Sequence, residues 1–501
     1  MSCYFKHQQE TTITIPSNVD VNGTTYYNIL VSIGSVNWTV RHRYKEFVEL
    51  HNKLVNGQSI GRDLLPPKKV IGNRSLQFLE QRQKDLEKYL QKVLFFLQHH
   101  MCRDFVEFLE LNKYDIVYLL QDLANTFFQQ SELLLQFFNK RYEFSVLELH
   151  AISERLRLPC PANDTVENIY DFTHVVDFCS QIERLTVRPR NKRIIESASF
   201  FVNQNSSIGT SNIIPSNLKF DLVAFKTLKT LQVFGLNVEN ITNMGTLRQT
   251  IQQLAWHSTS VTRINEFLLC DCVHKNDASD DNVWPNLENI NLSDNKLKVI
   301  DTTIKLAPNL KTLVLDQNQI QTIENLSDLP YLQTLSLCEN QISQCIDLHL
   351  QLGGNLMHLN VSQNNLRSLE GFRKLFTLIK LDVSCNAIES IDEVDYVANL
   401  PCLEELILTG NPIAGTVDYR SRTLARFNDR INDIYLDNEK GSAHEIDTAL
   451  ALSALRQSET LSALMRQSQI TPTKTTPSDA VSSNACDTVI ASTSTTNSTH
   501  S

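Results

Sequence analysis

No stretch of this 501-residue chain approaches the roughly 20 consecutive apolar residues that a membrane-spanning helix needs. Met1 to Gln8 has neither a basic start nor an apolar run, so no secretory leader is expected, and the 11 cysteines are expected as reduced thiols in the cytoplasm. Their number is odd and they are scattered. Only Cys270 and Cys272 stand close, with His274 nearby, a set too small to predict a metal site. No Gly-rich phosphate loop occurs, the lone Gly353-Gly354 pair reads as a turn, and no cofactor is expected. A net charge of −10 argues against a general nucleic-acid binder.

The charge is unevenly placed. Trp38 to Lys92 holds 12 Lys and Arg against 6 Asp and Glu, whereas Asp281 to Lys440 holds 13 against 22. A basic patch on an acidic chain suggests a local anionic partner. The cations cluster in Arg41-His42-Arg43-Tyr44-Lys45-Glu46-Phe47, in Leu64-Leu65-Pro66-Pro67-Lys68-Lys69, and at Arg82 within a helical pattern. Lys and Arg neutralise phosphate, and Arg does so with a planar fork of donors. An exposed Tyr face can stack on a sugar ring. If the three pieces converge they form a pocket for a phosphorylated sugar headgroup; read singly, each cation is a solvated helix face.

Four zones follow along the chain. Thr11–Ile15, Tyr26–Ile33 and Trp38–His42 alternate polar and apolar residues and are expected as half-buried strands. Helical patterns cover Tyr44–Val55, Ser75–Gln98 and Cys102–Leu111, with the Pro66-Pro67 pair forcing extended backbone between the first two. Residues 113–217 carry leucines and phenylalanines at helical spacing (Leu119, Leu120, Leu123, Phe127, Phe128) and are expected as a helical connector. Residues 218–440 form a repeat array. Asn295, Asn318, Asn340, Asn364, Asn386 and Asn411 stand 23, 22, 24, 22 and 25 residues apart, each with apolar residues five and three positions upstream, such as Leu335 and Leu337. That period and pattern is the leucine-rich repeat signature. The apolar pair points inward, and the Asn side chain caps backbone groups where the chain leaves the strand. Leu228 to Val233 reads as a degenerate first repeat, and Asp418-Tyr419-Arg420 as part of a closing cap. Residues 441–501 are expected as a short amphipathic helix and then a Ser/Thr-rich disordered tail.

The array offers no catalytic constellation: His358 has no companion Ser, Cys or second His at repeat spacing, so no enzyme is expected. Its concave strand positions, including Asn291, Val314, Asp316, Ser336, His358, Asn360, Lys380, Asp382 and Glu405, make a polar, mildly acidic wall suited to a protein partner.

Residues 11–112 resemble a phox-homology (PX) domain in their order: three strands, Arg-Tyr-x-x-Phe, a Pro-Pro-Lys loop and an Arg in the next helix. The resemblance implies that Arg43 holds a 3-phosphate, Tyr44 lies under an inositol ring, Lys68 meets the 1-phosphate and Arg82 bonds the ring hydroxyls. Phe47 reads as core. His42 stands where many relatives carry a second Arg, and the loop after Lys69 is short and lacks a further Pro. Leu64, Leu65, Val70 and Ile71 are the candidate membrane contacts. The expected fold is therefore multidomain, α+β and α/β: a PX domain, a helical connector, a leucine-rich repeat solenoid and a disordered tail. That order resembles the nischarin (imidazoline-receptor-candidate) family, on Trp38-Thr39-Val40-Arg41-His42-Arg43-Tyr44, Leu65-Pro66-Pro67-Lys68-Lys69-Val70-Ile71-Gly72 and Leu400-Pro401-Cys402-Leu403-Glu404. This second resemblance implies a non-enzymatic adaptor on early or recycling endosomes that binds phosphatidylinositol 3-phosphate. It also implies inhibition of cell migration through Rac and p21-activated kinase, with Rab GTPases and an integrin tail as further partners. The alternative is a purely protein-binding repeat regulator of a phosphatase or the cytoskeleton, with no lipid site.

Overall fold

The structure, a computed structural model, describes residues 1–68, 75–99, 101–159, 167–189, 206–270, 280–352 and 354–468. Near the N-terminus, β1 (Thr12–Val21), β2 (Thr24–Ile33) and β3 (Val36–Arg43) form an antiparallel sheet in chain order. Asn22 and Gly23, both at positive φ, make the tight turn between β1 and β2 that suits strand twist. β1 runs well past the expected Ile15. It does so because its register with β2 shifts between Thr14 and Ser17, and Pro16, which has no N–H to give a ladder, falls in that shift.

The inward residues Ile29, Val31, Ile33, Trp38 and Val40 share one core with α1 (Tyr44–Gln58) and α2 (Leu76–Leu97). α1 contributes Phe47, Leu50 and Leu54, and α2 contributes Leu86, Leu90, Val93 and Leu97, each set recurring at helical spacing. Phe47 is fully buried, as expected of a core residue. α3 (Arg103–Phe108) and α4 (Leu111–Tyr114) close this body.

α5 (Ile116–Phe137) leads out of it. The stretch 113–217 is helical over α5, α6 (Val146–Leu156) and α7 (Thr173–Gln181), but it also holds β4 (Arg141–Ser145) and β5 (Arg184–Arg188). These strands alternate, Tyr142 and Phe144 or Leu185 and Val187 turning toward the core while Arg141, Glu143, Arg184 and Arg188 turn away. They open the same sheet as the repeats, so the solenoid starts near residue 141 rather than 218. Runs of five residues beside leucine-rich helices carry too short a period-two signal to stand out.

The sheet continues through β7 (Thr230–Phe234) and β9 (Gln253–His257), then β10 (Asn289–Asn291), β11 (Thr312–Val314), β12 (Thr334–Ser336), β13 (His358–Asn360), β14 (Lys380–Asp382), β15 (Glu405–Ile407) and β16 (Tyr435–Leu436). All these pairings are parallel, and β17 (Glu439–Lys440) folds back antiparallel to end the twelve-stranded sheet. β6 (Phe220–Asp221) and β8 (Ile241–Thr242) pair separately.

The repeat asparagines act as expected. Asn340 Nδ2 donates to the carbonyls of Leu315, Leu337 and Cys338 at 2.9, 3.1 and 3.2 Å, and its Oδ1 accepts from Ile320 N at 3.0 Å. Asn318, Asn364 and Asn386 repeat that pattern. After the last asparagine, Asp437 accepts from Leu408 N and Thr409 N at 2.8 and 3.0 Å. Arg420 reaches Leu436 O and Glu445, tying the cap to the C-terminal helix Ala443–Ser468. The expected disordered tail lies outside the described residues.

The two bodies are stitched together. Within the N-terminal body, Trp38 on β3 donates to Leu109 O at 2.8 Å and packs on Tyr114. Thr39 N donates to Thr210 O, and Asn212 N donates to Asn37 O at 3.0 Å, so residues 210–212 cover the free edge of β3. Asp115, fully buried, accepts from Tyr4 N at 2.7 Å, Ser2 Oγ at 3.0 Å and Val117 N at 3.0 Å, capping α5 and pinning the N-terminus.

Replacing Asn340 by Leu is expected to lower stability by at least about 2 kcal/mol in chemical denaturation, because it orphans buried backbone groups. Desolvation pushes the Asp115 carboxyl up to about 6 despite its hydrogen bonds. A raised carboxylate pKa means that the folded state holds the proton more tightly than the unfolded chain. The resulting stability is full below the usual carboxylate pKa and is lost as pH rises through about 6. Wild type is therefore expected to gain stability over Asp115→Asn as pH falls from 7 to 5, by at most about 1.4 kcal/mol per pH unit, measured by paired melts.

Candidate headgroup site and repeat face

Arg43 ends β3 in an extended conformation and Tyr44 begins α1. The two prolines after Leu65 hold an extended segment past the start of α1. There the Tyr44 hydroxyl donates to Pro66 O at 2.5 Å. Arg82 reaches the same segment from α2, donating through Nη2 to Pro67 O at 2.9 Å. Its guanidinium lies between two rings, 4.3 Å from the centre of Tyr44 and 4.3 Å from that of Phe78. Planar guanidinium on an aromatic face is a favourable packing. Arg82 is 8% exposed, an unusual degree of burial for an arginine, and these contacts account for it. Burial pushes the Tyr44 hydroxyl pKa up, with the Arg82 charge opposing it.

Pro66, Pro67, Lys68, Phe78, Gln81, Arg82 and Asp85 line a cavity of about 340 Å³. The structure therefore brings Tyr44, the Lys68 segment and Arg82 to one place. Arg43 precedes Tyr44 but does not line that cavity; its Nε faces Glu46 Oε1 at 3.4 Å. The Tyr44 face covered by Arg82 is closed to a sugar ring unless Arg82 moves. Phe78, in the run Phe78-Leu79-Glu80-Gln81-Arg82, has no role assigned by residue type; its position four residues before Arg82 places both on one helix face.

His42 is a structural pin. Its ring stacks on Phe108 at 3.9 Å, Nε2 donates to Phe108 O at 2.7 Å, and Nδ1 lies 2.9 Å from Glu46 Oε2. Leu64 and Leu65, candidate membrane contacts, are half-buried against the core of this body. Val70 and Ile71 lie outside the described residues, as do Lys69, Cys272 and His274. Among the described residues, Leu76 at the start of α2 is an apolar side chain left open to solvent, 72% exposed.

On the repeat face, Asn291, Val314, Ser336, Asn360 and Asp382 fall in one register row. His358, Lys380 and Glu405 fall in the neighbouring row, where Lys380 pairs with Glu405 at 2.6 Å. Several of these side chains also brace the turns: Asp316 accepts from Ser336 Oγ and Cys338 N, and Asn360 accepts from Ser362 N. No group of His, Cys, Asp and Glu placed to hold a metal occurs among the described residues, and no described helix is long and apolar enough to cross a membrane.

Residues 30–112 match the PX domain family, and residues 285–344 match the leucine rich repeat family. The chain carries a PX domain followed by leucine-rich repeats. It is 29% identical over 215 residues to the human serine/threonine-protein kinase 11-interacting protein, covering 42% of this chain and 19% of that protein. It is 32% identical over 111 residues to a rat PX domain-containing protein kinase-like protein, covering 21% of this chain and 19% of that one. The chain thus spans about a fifth of the length of these curated relatives. A designed CISK-PX domain structure is 32% identical, covering 20% of this chain and 98% of that chain, with a TM-score of 0.18. PX and leucine-rich modules are binding modules rather than catalytic ones.

Tyr44→Phe keeps the ring over Arg82 and removes the tie to Pro66 O. It is expected to cost about 1 kcal/mol in a denaturant melt and to speed amide exchange at Lys68.

Proposed function

We propose that this chain is a non-enzymatic adaptor recruited to membranes by a phosphoinositide and presenting its repeat face to proteins. One observation carries the reading: Lys68 and Arg82, far apart in sequence, line one cavity, and Tyr44, which follows Arg43 in the chain, holds its ring against Arg82 and its hydroxyl on Pro66 O. Lys68 supplies a mobile point charge for one phosphate. Arg82 supplies a buried fork whose remaining donors suit hydroxyls or phosphate oxygens. Arg43, at the strand-to-helix junction, is the group proposed for the 3-phosphate. The resemblance to the nischarin family supports phosphatidylinositol 3-phosphate as ligand, early or recycling endosomes as site, and Rac, p21-activated kinase, Rab GTPases and an integrin tail as partners in control of migration.

A purely protein-binding reading draws on a specific observation too. Arg82 is already engaged by Pro67 O and two rings, so a lipid must compete with contacts inside the fold.

Sedimentation with vesicles containing phosphatidylinositol 3-phosphate separates the two. Lys68→Ala and Arg43→Ala are each expected to weaken binding about tenfold or more, since each removes a charge-assisted contact. Unchanged binding in both variants, or no binding by wild type, would favour the protein-only reading.

A further inference from the structure

The concave face extends beyond the repeats that the asparagine pattern marks. β4, β5, β7 and β9 add four strands at its N-terminal end, and their side chains differ in character from the rest. Arg141 and Arg184 stand directly opposite each other in the register of β4 and β5. Both are exposed. Arg141 reaches Gln232 Oε1 at 3.2 Å, while the Arg184 guanidinium has no partner among the described residues. Like charges directly opposite on adjacent strands are unfavourable, and an anion between them removes the penalty.

The other end of these strands carries an aromatic pair, one ring from β7 and one from β9. Arg188 follows the Val187–Val233 pair, so it stands beside Phe234, which pairs with His257. The Arg188 guanidinium lies 4.0 Å from the Phe234 ring centre, and Phe234 stacks on His257 at 5.0 Å. Glu143 steadies Arg188 at 3.3 Å. The result is a partly open aromatic step at the far end of the strands that begin with Arg141 and Arg184. Further along the same face the charge reverses at Asp316 and Asp382.

We infer that this N-terminal end of the concave face docks an acidic protein segment, its carboxylates on Arg141 and Arg184 and an apolar or aromatic side chain on Phe234. The inference rests on the reading of the concave face as protein-binding and adds the chemistry and location of the partner. The reversal of charge along the face gives such a segment one preferred direction, acidic residues over β4 and β5 and any basic residues over β11 to β14. Arginine pairs of this kind recognise carboxylates with a geometry that a lysine cannot copy.

The test uses the full chain and two fluorescein-labelled dodecapeptides read by anisotropy: one rich in Glu and Asp with a central Trp, the other with Lys in place of the acids. The acidic peptide is expected to bind saturably and to weaken with salt. Arg184→Glu is expected to weaken it tenfold or more, Arg141→Gln several-fold, and Lys380→Glu at the opposite end little. Equal losses from Arg184→Glu and Lys380→Glu would overturn the assignment to this end. Binding of the basic peptide alone would sink this inference and leave a protein-binding face standing, whereas binding of neither would sink both. An oligonucleotide of equal charge that displaces the acidic peptide at equal concentration would also overturn it, since the site would then be a general polyanion surface. Circular dichroism of each variant confirms folding, and both arginines are exposed enough for their loss to be tolerated.

Discussion

Every repeat leaves a parallel strand and must satisfy the backbone groups it abandons, and the asparagine ladder meets that requirement. Each asparagine joins carbonyls of its own turn and the turn before it, and accepts from a backbone N–H of the preceding repeat. A leucine of equal size would fill the space and leave those groups unpaired in a dry interior, at a cost of a few kcal/mol. The solenoid therefore propagates only where this residue recurs or where something replaces it. Asp437 is such a replacement at the C-terminal end, and the antiparallel β17 then closes the sheet.

The same backbone requirement governs the join between the two bodies. β3 is an edge strand, and residues 210–212 cover it. Asp115 spends a buried carboxylate on holding the N-terminus and the start of α5 together. A proposed lipid pocket on one body is in this way given a defined placement relative to the concave face of the other. An adaptor needs that relation if membrane recruitment is to present a protein-binding surface in a fixed sense.

Much of this was legible in the residues. The three N-terminal strands, the helices that follow them and the six asparagines announced themselves by period, and the proposed headgroup residues Arg43, Tyr44, Lys68 and Arg82 are singled out by residue type and order. Other features were not. Arg-Tyr-Glu-Phe-Ser and Arg-Leu-Thr-Val-Arg are too short to outweigh the helical leucines around them, so by sequence β4 and β5 read as connector. Phe78 as the second face of the Arg82 sandwich was readable from its i, i+4 spacing, but only once the pocket was known. His42 reads as a basic residue beside the headgroup stretch, yet its two nitrogens and its ring are all used inside the fold.

The sequence alone determined which segments repeat, where the cations gather and which residues face inward, because those follow from local spacing and from the cost of burying polar groups. Tertiary structure decided what the cations meet. Arg82 is committed to two rings and a carbonyl, Arg43 to Glu46, while Arg141 and Arg184 are left face to face. Those outcomes depend on strand register and on the approach of segments distant along the chain, and neither is encoded in the spacing of neighbours.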